Sequence, residues 1–306
     1  MTNIGIIGTG HLGTRLAEQL VMDSTCEKVL LSNRSAAKLR GTLLSLKLWA
    51  NLRQTKTEVE ELDFDALDAV NVVVIAVKER YDPRSLARRG LRPAGVPEDL
   101  RHIGIRKDLP QVQSVCRLLQ RYRGIVAVVT NPVDIMTSYV SRWLPKATVV
   151  GLGVSVDAAR LAYILSEELK KRITRIECPL GGEHGGNLVP IRTLWNGSLL
   201  DQLAAHPECA AEILKAERIG PAIVEDLGYT VHDCAVVFAE DIAWLSAGCD
   251  DSMGTVSIWD ETASIGWPVR FRKGSLIKVR SLGKRESRLV RDARDRVAAY
   301  LQALGS

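Results

Sequence analysis

Residues 181–191, GGEHGGNLVPI, place His184 between glycines. An imidazole titrates near neutral pH, so it can act as an acid or a base in a reaction. A core histidine is expected among apolar neighbours, and a solvated loop histidine needs no glycines around it. The glycines therefore favour a third interpretation, a working histidine that a ligand approaches closely.

Two further motifs place polar side chains where a ligand could reach them. Asn131, in the motif TNPVD, follows an apolar run at 125–129, and sheets with such strands bind ligands at the strands' carboxyl ends. Asp157 and Arg160 lie three residues apart at the start of a predicted helix, so they share a face. An arginine can hold a carboxylate through two parallel hydrogen bonds, which a lysine cannot. The alternative for Asn131 is a turn residue, and the alternative for Asp157 and Arg160 is a surface ion pair. Each explains its own motif, but neither explains why both motifs occur together with the glycine-framed histidine.

The elements that must position these residues alternate between strands and helices in the first half of the chain. Nearly continuous apolar runs are typical of strands buried on both faces, and their alternation with helices predicts a doubly wound parallel sheet. The predicted strands are 4–8, 28–32, 71–77 and 125–129, with helices at 11–21 and 109–119 and around Leu39, Leu43, Leu44 and Leu46.

After about residue 150 the pattern changes to a mixture of helices and short strands. Helices are predicted at 158–170, 208–227, 236–247 and 286–304, and β-type runs at 173–178, 254–259, 266–271 and 276–280. We therefore predict an α/β protein. Its N-terminal domain (residues 1–150) contains the doubly wound parallel sheet, and a mixed α+β domain (residues 151–306) follows.

The composition excludes several classes of protein. The formal charge of +5 is spread along the chain, so a nucleic-acid partner is not expected. The six cysteines form no CxxC pair and no cluster at metal-ligand spacing, which predicts neither a metal site nor a disulfide framework. No export signal and no apolar stretch of membrane-spanning length is visible, so we expect a cytoplasmic protein without a membrane partner.

The motif GTGHLG at 8–13 predicts a dinucleotide site. It follows a strand and opens a helix, where glycines allow a tight turn and a close approach of the backbone to a pyrophosphate. A tight turn without a ligand is the alternative. The expected cofactor-binding residues are Gly8, Gly10, His11, Leu12 and Gly13.

The end of the second strand indicates which dinucleotide binds. NAD-selective sites usually carry an acidic residue there, whereas this chain has Asn33, Arg34 and Ser35. No carboxylate of this segment repels a 2′-phosphate, and Arg34 can bind one. We therefore predict a preference for NADP(H) over NAD(H), with a solvated turn arginine as the alternative.

Four motifs together resemble the L-lactate/L-malate dehydrogenase family over nearly the whole chain. They are GTGHLG (8–13), TNPVD (130–134), GLGVSVDAAR (151–160) and GEHG (182–185), in the family's order and at similar spacing. The resemblance implies a Rossmann domain followed by an α+β domain. It also implies a homodimer or homotetramer and interconversion of a small 2-keto acid and an L-2-hydroxy acid with a nicotinamide cofactor.

The resemblance also assigns roles to the residues that match the motifs. His184 exchanges the proton, Asp157 holds its other ring nitrogen, and Arg160 binds the substrate carboxylate. Asn131 orients the substrate carbonyl or the nicotinamide amide. Two places depart from the family or are unusual in it: Gly185–Asn187 lack an acidic residue that many relatives have, and the stretch that often lines the pocket holds Thr230, His232 and Cys234.

Residues 78–107 form a longer loop than the family's substrate-closing loop, which carries an arginine that polarises the carbonyl and a residue that selects the substrate. Counting back from TNPVD gives the polarising role to Arg101, which we favour. Counting forward from the strand places Arg80 at the selecting position. RPAG (92–95) resembles the malate-type loop, with Glu98 where its arginine would fall.

Basic residues outnumber acidic ones in this loop. One hypothesis is therefore that the substrate carries a second anionic group, bound by Arg80 and Arg92. We expect an NADPH-dependent 2-keto-acid reductase. The alternatives are a reductase of an unusual keto acid or imine, and a non-catalytic dinucleotide-binding protein.

Overall fold

Six parallel strands form the first half of the sheet. The structure is a computed structural model that describes residues 2–79, 104–205, 212–227 and 230–304. The strands run in the order β3-β2-β1-β4-β5-β6, which is the doubly wound arrangement that the sequence predicted. They are β1 (Asn3–Ile7), β2 (Lys28–Ser32), β3 (Glu58–Glu61), β4 (Val72–Ile75), β5 (Ile125–Val128) and β6 (Thr148–Gly151).

Helices cover both faces of this parallel sheet. Those of the first half are α1 (His11–Asp23), α2 (Ala36–Arg53), α3 (Ile105–Leu118) and α4 (Val133–Trp143), with a 3₁₀ turn at Phe64–Ala69. Val72 and Val74 of β4 pack in one core cluster, and Val73 and Ile75 pack in another on the opposite face. Burial on both faces explains why the strand reads as a continuous apolar run.

The second half continues the same sheet with antiparallel strands. β9 (Met253–Trp259) pairs with β6, and the order continues β9-β10-β7-β8, with β11 on β10. The other strands are β7 (Leu180–Gly182), β8 (Leu188–Pro190), β10 (Ser264–Arg272) and β11 (Ser275–Lys278). The helices are α5 (Val154–Leu169), α6 (Gly197–Ala205), α7 (Glu212–Leu227), α8 (His232–Ala247) and α9 (Lys284–Ala303). The α/β fold with a parallel Rossmann-type sheet is therefore confirmed.

One predicted strand was wrong. Residues 173–178 form a turn and not a strand. The Glu177 carboxylate accepts hydrogen bonds from the backbone N–H and the hydroxyl of Thr174, which closes the chain on itself. Ile173 and Cys178 are buried against α5, so their apolar character reflects packing rather than strand pairing. Separately, none of the described helices is long and apolar enough to cross a membrane.

Candidate active site

His184 lies in the turn of a short hairpin. β7 and β8 pair from Leu180 with Pro190 to Gly182 with Leu188, which leaves 183–187 as the connection. Gly185 has a φ of +68°, a left-handed conformation that glycine adopts without strain. The hairpin therefore projects the imidazole from the edge of β7 toward the start of α5.

The imidazole is held by a buried carboxylate. Nδ1 of His184 lies 2.8 Å from Oδ2 of Asp157, and the Gly185 N–H donates to the same oxygen at 2.8 Å. Asp157 is fully buried in the first turn of α5. Because an ionised carboxylate only accepts hydrogen bonds, Nδ1 carries a proton in this arrangement. The structure thus brings together the two residues that the resemblance paired.

A second buried carboxylate holds the backbone of the same histidine. Asp134, in the first turn of α4, accepts a hydrogen bond from the His184 N–H at 2.8 Å and another from the Ser257 hydroxyl. Burial raises the pKa of the Asp134 carboxyl, and these two hydrogen bonds act in the opposite direction. Asp134 therefore fixes the hairpin to the end of the parallel sheet, although it makes no contact with the imidazole nitrogens among the described hydrogen bonds.

The imidazole packs directly on the backbone at Gly153. A Cβ at this position would lie 2.7 Å from Cγ of His184, closer than side chains pack. We predict that Gly153→Ala displaces the ring from Asp157 and lowers kcat by about tenfold or more, because misplacing a catalytic group by 1 Å can cost about 10²-fold. Steady-state kinetics on purified protein would measure this effect.

Gly41→Ala is the matched control, since a Cβ at Gly41 meets no atom within 4 Å. An unchanged kcat in Gly153→Ala, with the same thermal stability as the control, would contradict the assigned position of the ring.

Arg160 lies on the other oxygen of Asp157. Its Nη1 is 3.6 Å from Oδ1 of Asp157, and the guanidinium is only 8% exposed. Its Nε and Nη2 donate to a single oxygen of Asp233, at 2.9 and 2.8 Å. The expectation of a guanidinium presented to a substrate carboxylate is therefore incomplete, because a carboxylate of the chain itself occupies that edge.

Asn131 follows β5 at the end of the parallel sheet. Its Oδ1 is buried and has no hydrogen-bond partner among the described residues. The neighbouring Thr130 donates to the carbonyl of Val77 at 2.9 Å, which ties the ends of β5 and β4 together. A buried acceptor without a partner is costly, so Asn131 fits a site where a ligand donor completes its bonding.

The glycine-rich loop packs tightly against the end of β4. Gly8 has a φ of +109°, and a Cβ there would lie 2.5 Å from the carbonyl oxygen of Ala76. A Cβ on Gly13 would lie 1.9 Å from the carbonyl oxygen of Gly8. A Cβ at Gly10, by contrast, would meet nothing within 4 Å, and α1 begins there without a side-chain cap. The N-terminus of α1 thus has the open, uncapped geometry that suits a pyrophosphate.

Arg34 binds a carboxylate from the segment that follows β4. Its Nη1 and Nη2 donate to the two carboxylate oxygens of Glu79 at 2.8 and 2.9 Å. The sequence-based statement that no carboxylate opposes a phosphate here is therefore wrong for the folded chain. Asn33 donates to the Thr9 hydroxyl, and Ser35 accepts from the backbone of α2, so both also serve the fold.

Comparisons with known proteins agree with the motifs. Residues 3–92 match the family model described as NADP oxidoreductase, coenzyme F420-dependent. The chain is 27% identical over 210 residues to an L-lactate dehydrogenase of Fusobacterium nucleatum, covering 67% of this chain and 62% of that protein. It is 28% identical over 305 residues to a malate dehydrogenase of Dehalococcoides mccartyi, covering 94% and 95% of the two chains.

Solved structures share the fold over the whole chain. A lactate dehydrogenase from a Medee basin deep-sea metagenome library superimposes with a TM-score of 0.83 at 17% identity, covering 100% of this chain and 99% of that one. The malate dehydrogenase of Plasmodium falciparum gives a TM-score of 0.79 at 18% identity, with 99% and 98% covered. The resemblance to the lactate and malate dehydrogenase family is confirmed.

Several residues expected from the dehydrogenase resemblance lie outside the described part of the chain. They are Arg80, Arg92 and Arg101, together with Glu98. Of the pocket stretch, Thr230 precedes α8 and His232 is its exposed first residue. Burial raises the pKa of the Cys234 thiol to about 12, so this cysteine is protonated at neutral pH.

Sequence reasoning missed three carboxylates of this dehydrogenase-like site. Asp134 belongs to the TNPVD motif, so the motif itself could have indicated it. Asp233 and Glu79 partner arginines that are 73 and 45 residues away in the chain. No local pattern predicts such pairs, because the fold alone brings them together.

Proposed function

We propose that the protein is an NAD(P)-dependent oxidoreductase that interconverts a 2-keto acid and an L-2-hydroxy acid. The observation that carries the proposal is the buried Asp157 carboxylate, which faces the His184 imidazole with one oxygen and the Arg160 guanidinium with the other. A proton carrier and a carboxylate-binding cation are thereby held against the same carboxylate in the first turn of α5. A small substrate with adjacent carbonyl and carboxylate groups needs this pair of functions.

The residues divide the chemistry as follows. A nicotinamide, when bound, would supply the hydride for reduction or accept it in the reverse direction. Asp157 keeps the proton on Nδ1 of His184, so proton exchange with the substrate oxygen falls to Nε2. In keto-acid reduction His184 donates the proton on its Nε2 to the substrate oxygen, and in hydroxy-acid oxidation its Nε2 removes a proton from the substrate hydroxyl. Arg160 binds the substrate carboxylate. Asn131 orients the substrate carbonyl by donating a hydrogen bond from its NH2 group, or accepts one from the nicotinamide carboxamide through Oδ1.

A dinucleotide fits the described residues. The close packing at Gly8 and Gly13 brings the first loop against β4, and the uncapped start of α1 at Gly10 can bind the pyrophosphate. The expected neighbours His11 and Leu12 lie in the first turn of α1. The buried, unpartnered Oδ1 of Asn131 lies after β5 and suits an amide donor.

We further propose that the cofactor is NADP(H) rather than NAD(H), with Arg34 as the ligand of the 2′-phosphate. Arg34 is 60% exposed. It lies within residues 3–92, which match the family model described as NADP oxidoreductase, coenzyme F420-dependent. The Glu79 carboxylate competes with the phosphate, because it must leave Arg34 before a phosphate can bind there. Asn33 and Ser35 flank the arginine and hold its turn.

Glu79→Gln tests this cofactor proposal. We predict a KM for NADPH that is lower by about 1.5- to fivefold, because the weak attraction of an exposed ion pair no longer opposes the phosphate. The KM for NADH should change little. Glu27→Gln removes the same charge at the opposite end of β2 and serves as the control. A fall in the KM for NADH of the same size as for NADPH would contradict the role of Arg34.

We also propose a division into domains, a location, an assembly and the roles of three further arginines. The dinucleotide-binding and catalytic domains span residues 1–150 and 151–306, and the protein is a cytoplasmic homodimer or homotetramer. Arg101 polarises the carbonyl, and Arg80 and Arg92 bind a second anionic group of the substrate.

A screen of NADPH and NADH oxidation over 2-keto acids tests the proposed function. The panel contains short, branched, aromatic, dicarboxylic and phosphonate side groups, each at several concentrations. The proposal expects turnover of at least one 2-keto acid and preference for a dianionic one. Cofactor binding without turnover of any of them would instead support a non-catalytic dinucleotide-binding protein.

A further inference from the structure

The guanidinium of Arg160 is hydrogen-bonded along one edge by a carboxylate of this chain. Asp233 takes the edge formed by Nε and Nη2, at 2.9 and 2.8 Å, and Asp157 faces Nη1 at 3.6 Å. Gly220 of α7 also packs on Nη1, since a Cβ there would lie 2.6 Å away. Asp233 therefore occupies one two-pronged edge of the guanidinium, and Gly220 and Asp157 crowd Nη1, the nitrogen that completes the other edge.

Charge repulsion makes simultaneous occupancy unfavourable. Asp157 and Asp233 already place two carboxylates around one guanidinium that is 8% exposed. A third carboxylate at this position would be repelled by both, and the low exposure limits screening by solvent. A substrate anion can therefore approach Arg160 only if Asp233 moves away.

The Asp233 side chain borders open space into which it can move. Its side chain is 35% exposed, and it borders a cavity of about 500 Å³ lined also by Tyr163, Ile223 and His232. Asp233 lies in the first turn of α8, whose N-cap makes no side-chain hydrogen bond. The positive end of the helix stabilises a carboxylate there whether or not the arginine is bound.

Arg160, by contrast, also has neighbours on the side away from Asp233. Asp157 and the backbone at Gly220, which are both buried, flank the Nη1 side of the guanidinium. Removing the Asp233 carboxylate therefore exposes the binding edge without releasing the arginine.

We propose that Asp233 is a resident carboxylate that occupies Arg160 and is exchanged for the carboxylate of the incoming substrate. This inference rests on the proposed function, in which Arg160 binds a 2-keto acid. Asp233 then sets how tightly small carboxylates bind, and the site excludes weak anions when no substrate is present.

Binding of oxamate, a small carboxylate isosteric with pyruvate, tests the exchange. The protein with bound NADPH is titrated with oxamate by calorimetry, so the measurement needs no turnover. Asp233→Asn and Asp233→Ala should each bind oxamate about tenfold more tightly, because neither side chain places a carboxylate on Arg160. The gain should disappear when Arg160→Gln is added to either variant.

Glu240→Gln is the matched control, because it removes the same charge from the same helix at a residue that binds Arg175. Unchanged or weaker oxamate binding in both Asp233 variants, with unchanged thermal stability, would overturn the exchange. Failure of the proposed function is distinguishable, since a protein that turns over no 2-keto acid can still show the Arg160-dependent gain.

Discussion

Replacing His184 with glutamine is expected to lower kcat by about 10²- to 10⁴-fold, the usual contribution of a general acid or base. Glutamine can still hydrogen-bond Asp157 but cannot exchange a proton near neutral pH. Asp157→Asn should produce a loss of the same kind, because its amide no longer selects the tautomer with a proton on Nδ1. Steady-state kinetics in both directions would measure these losses.

Cofactor binding is the control for the His184 variant. The imidazole lies on the hairpin between β7 and β8, and the glycine-rich loop lies on β1 and α1, so a fluorescence titration with NADPH should give an unchanged Kd. A kcat within about threefold of the unmodified protein would refute the acid–base role.

The second large effect is expected from Arg160→Lys. A lysine keeps the charge but cannot form two parallel hydrogen bonds, and it leaves Asp157 and Asp233 without their guanidinium partner. Losing hydrogen bonds to a charged group costs about 1.5–3 kcal/mol, so kcat/KM should fall about 10- to 150-fold. The measurement is kcat/KM for the best 2-keto acid of the screen.

Arg172→Lys is the matched control, because Arg172 is exposed in the loop after α5. It should leave kcat/KM unchanged. Equal kinetic constants for Arg160→Lys and the control would show that Arg160 does not bind the substrate carboxylate.

The parallel half of the fold could be predicted because its signal is local. The Val72–Ile75 strand is buried on both faces, so all of its consecutive residues are apolar and the sequence pattern shows the burial directly. The hairpin that presents His184 could not be predicted in the same way. Its strands have only three residues each, and the apolar run at 173–178 before it forms a turn closed by Glu177.

The candidate site shows the same division. His184, Asp157, Arg160 and Asn131 stand in short motifs whose residue types and spacing suggest a chemistry. The fold brings His184 and Arg160 to the two oxygens of the Asp157 carboxylate. The carboxylates that modify two of the predicted cations came only from the fold. Asp233 reaches Arg160 because α8 packs on α5, and Glu79 reaches Arg34 because both follow strands, β4 and β2, that lie on either side of β1.

In the proposed reaction this chain moves a hydride between a nicotinamide and C2 of a 2-keto acid while His184 supplies the proton. NADPH deuterated at C4 of the nicotinamide, prepared separately on each face of the ring, tests it directly with the best 2-keto acid of the screen. Mass spectrometry of the product should find one deuterium at C2 of an L-2-hydroxy acid from one label only, and a greatly reduced yield with His184→Gln. A hydroxy acid without deuterium from either label, or an equal yield from His184→Gln, would contradict the account.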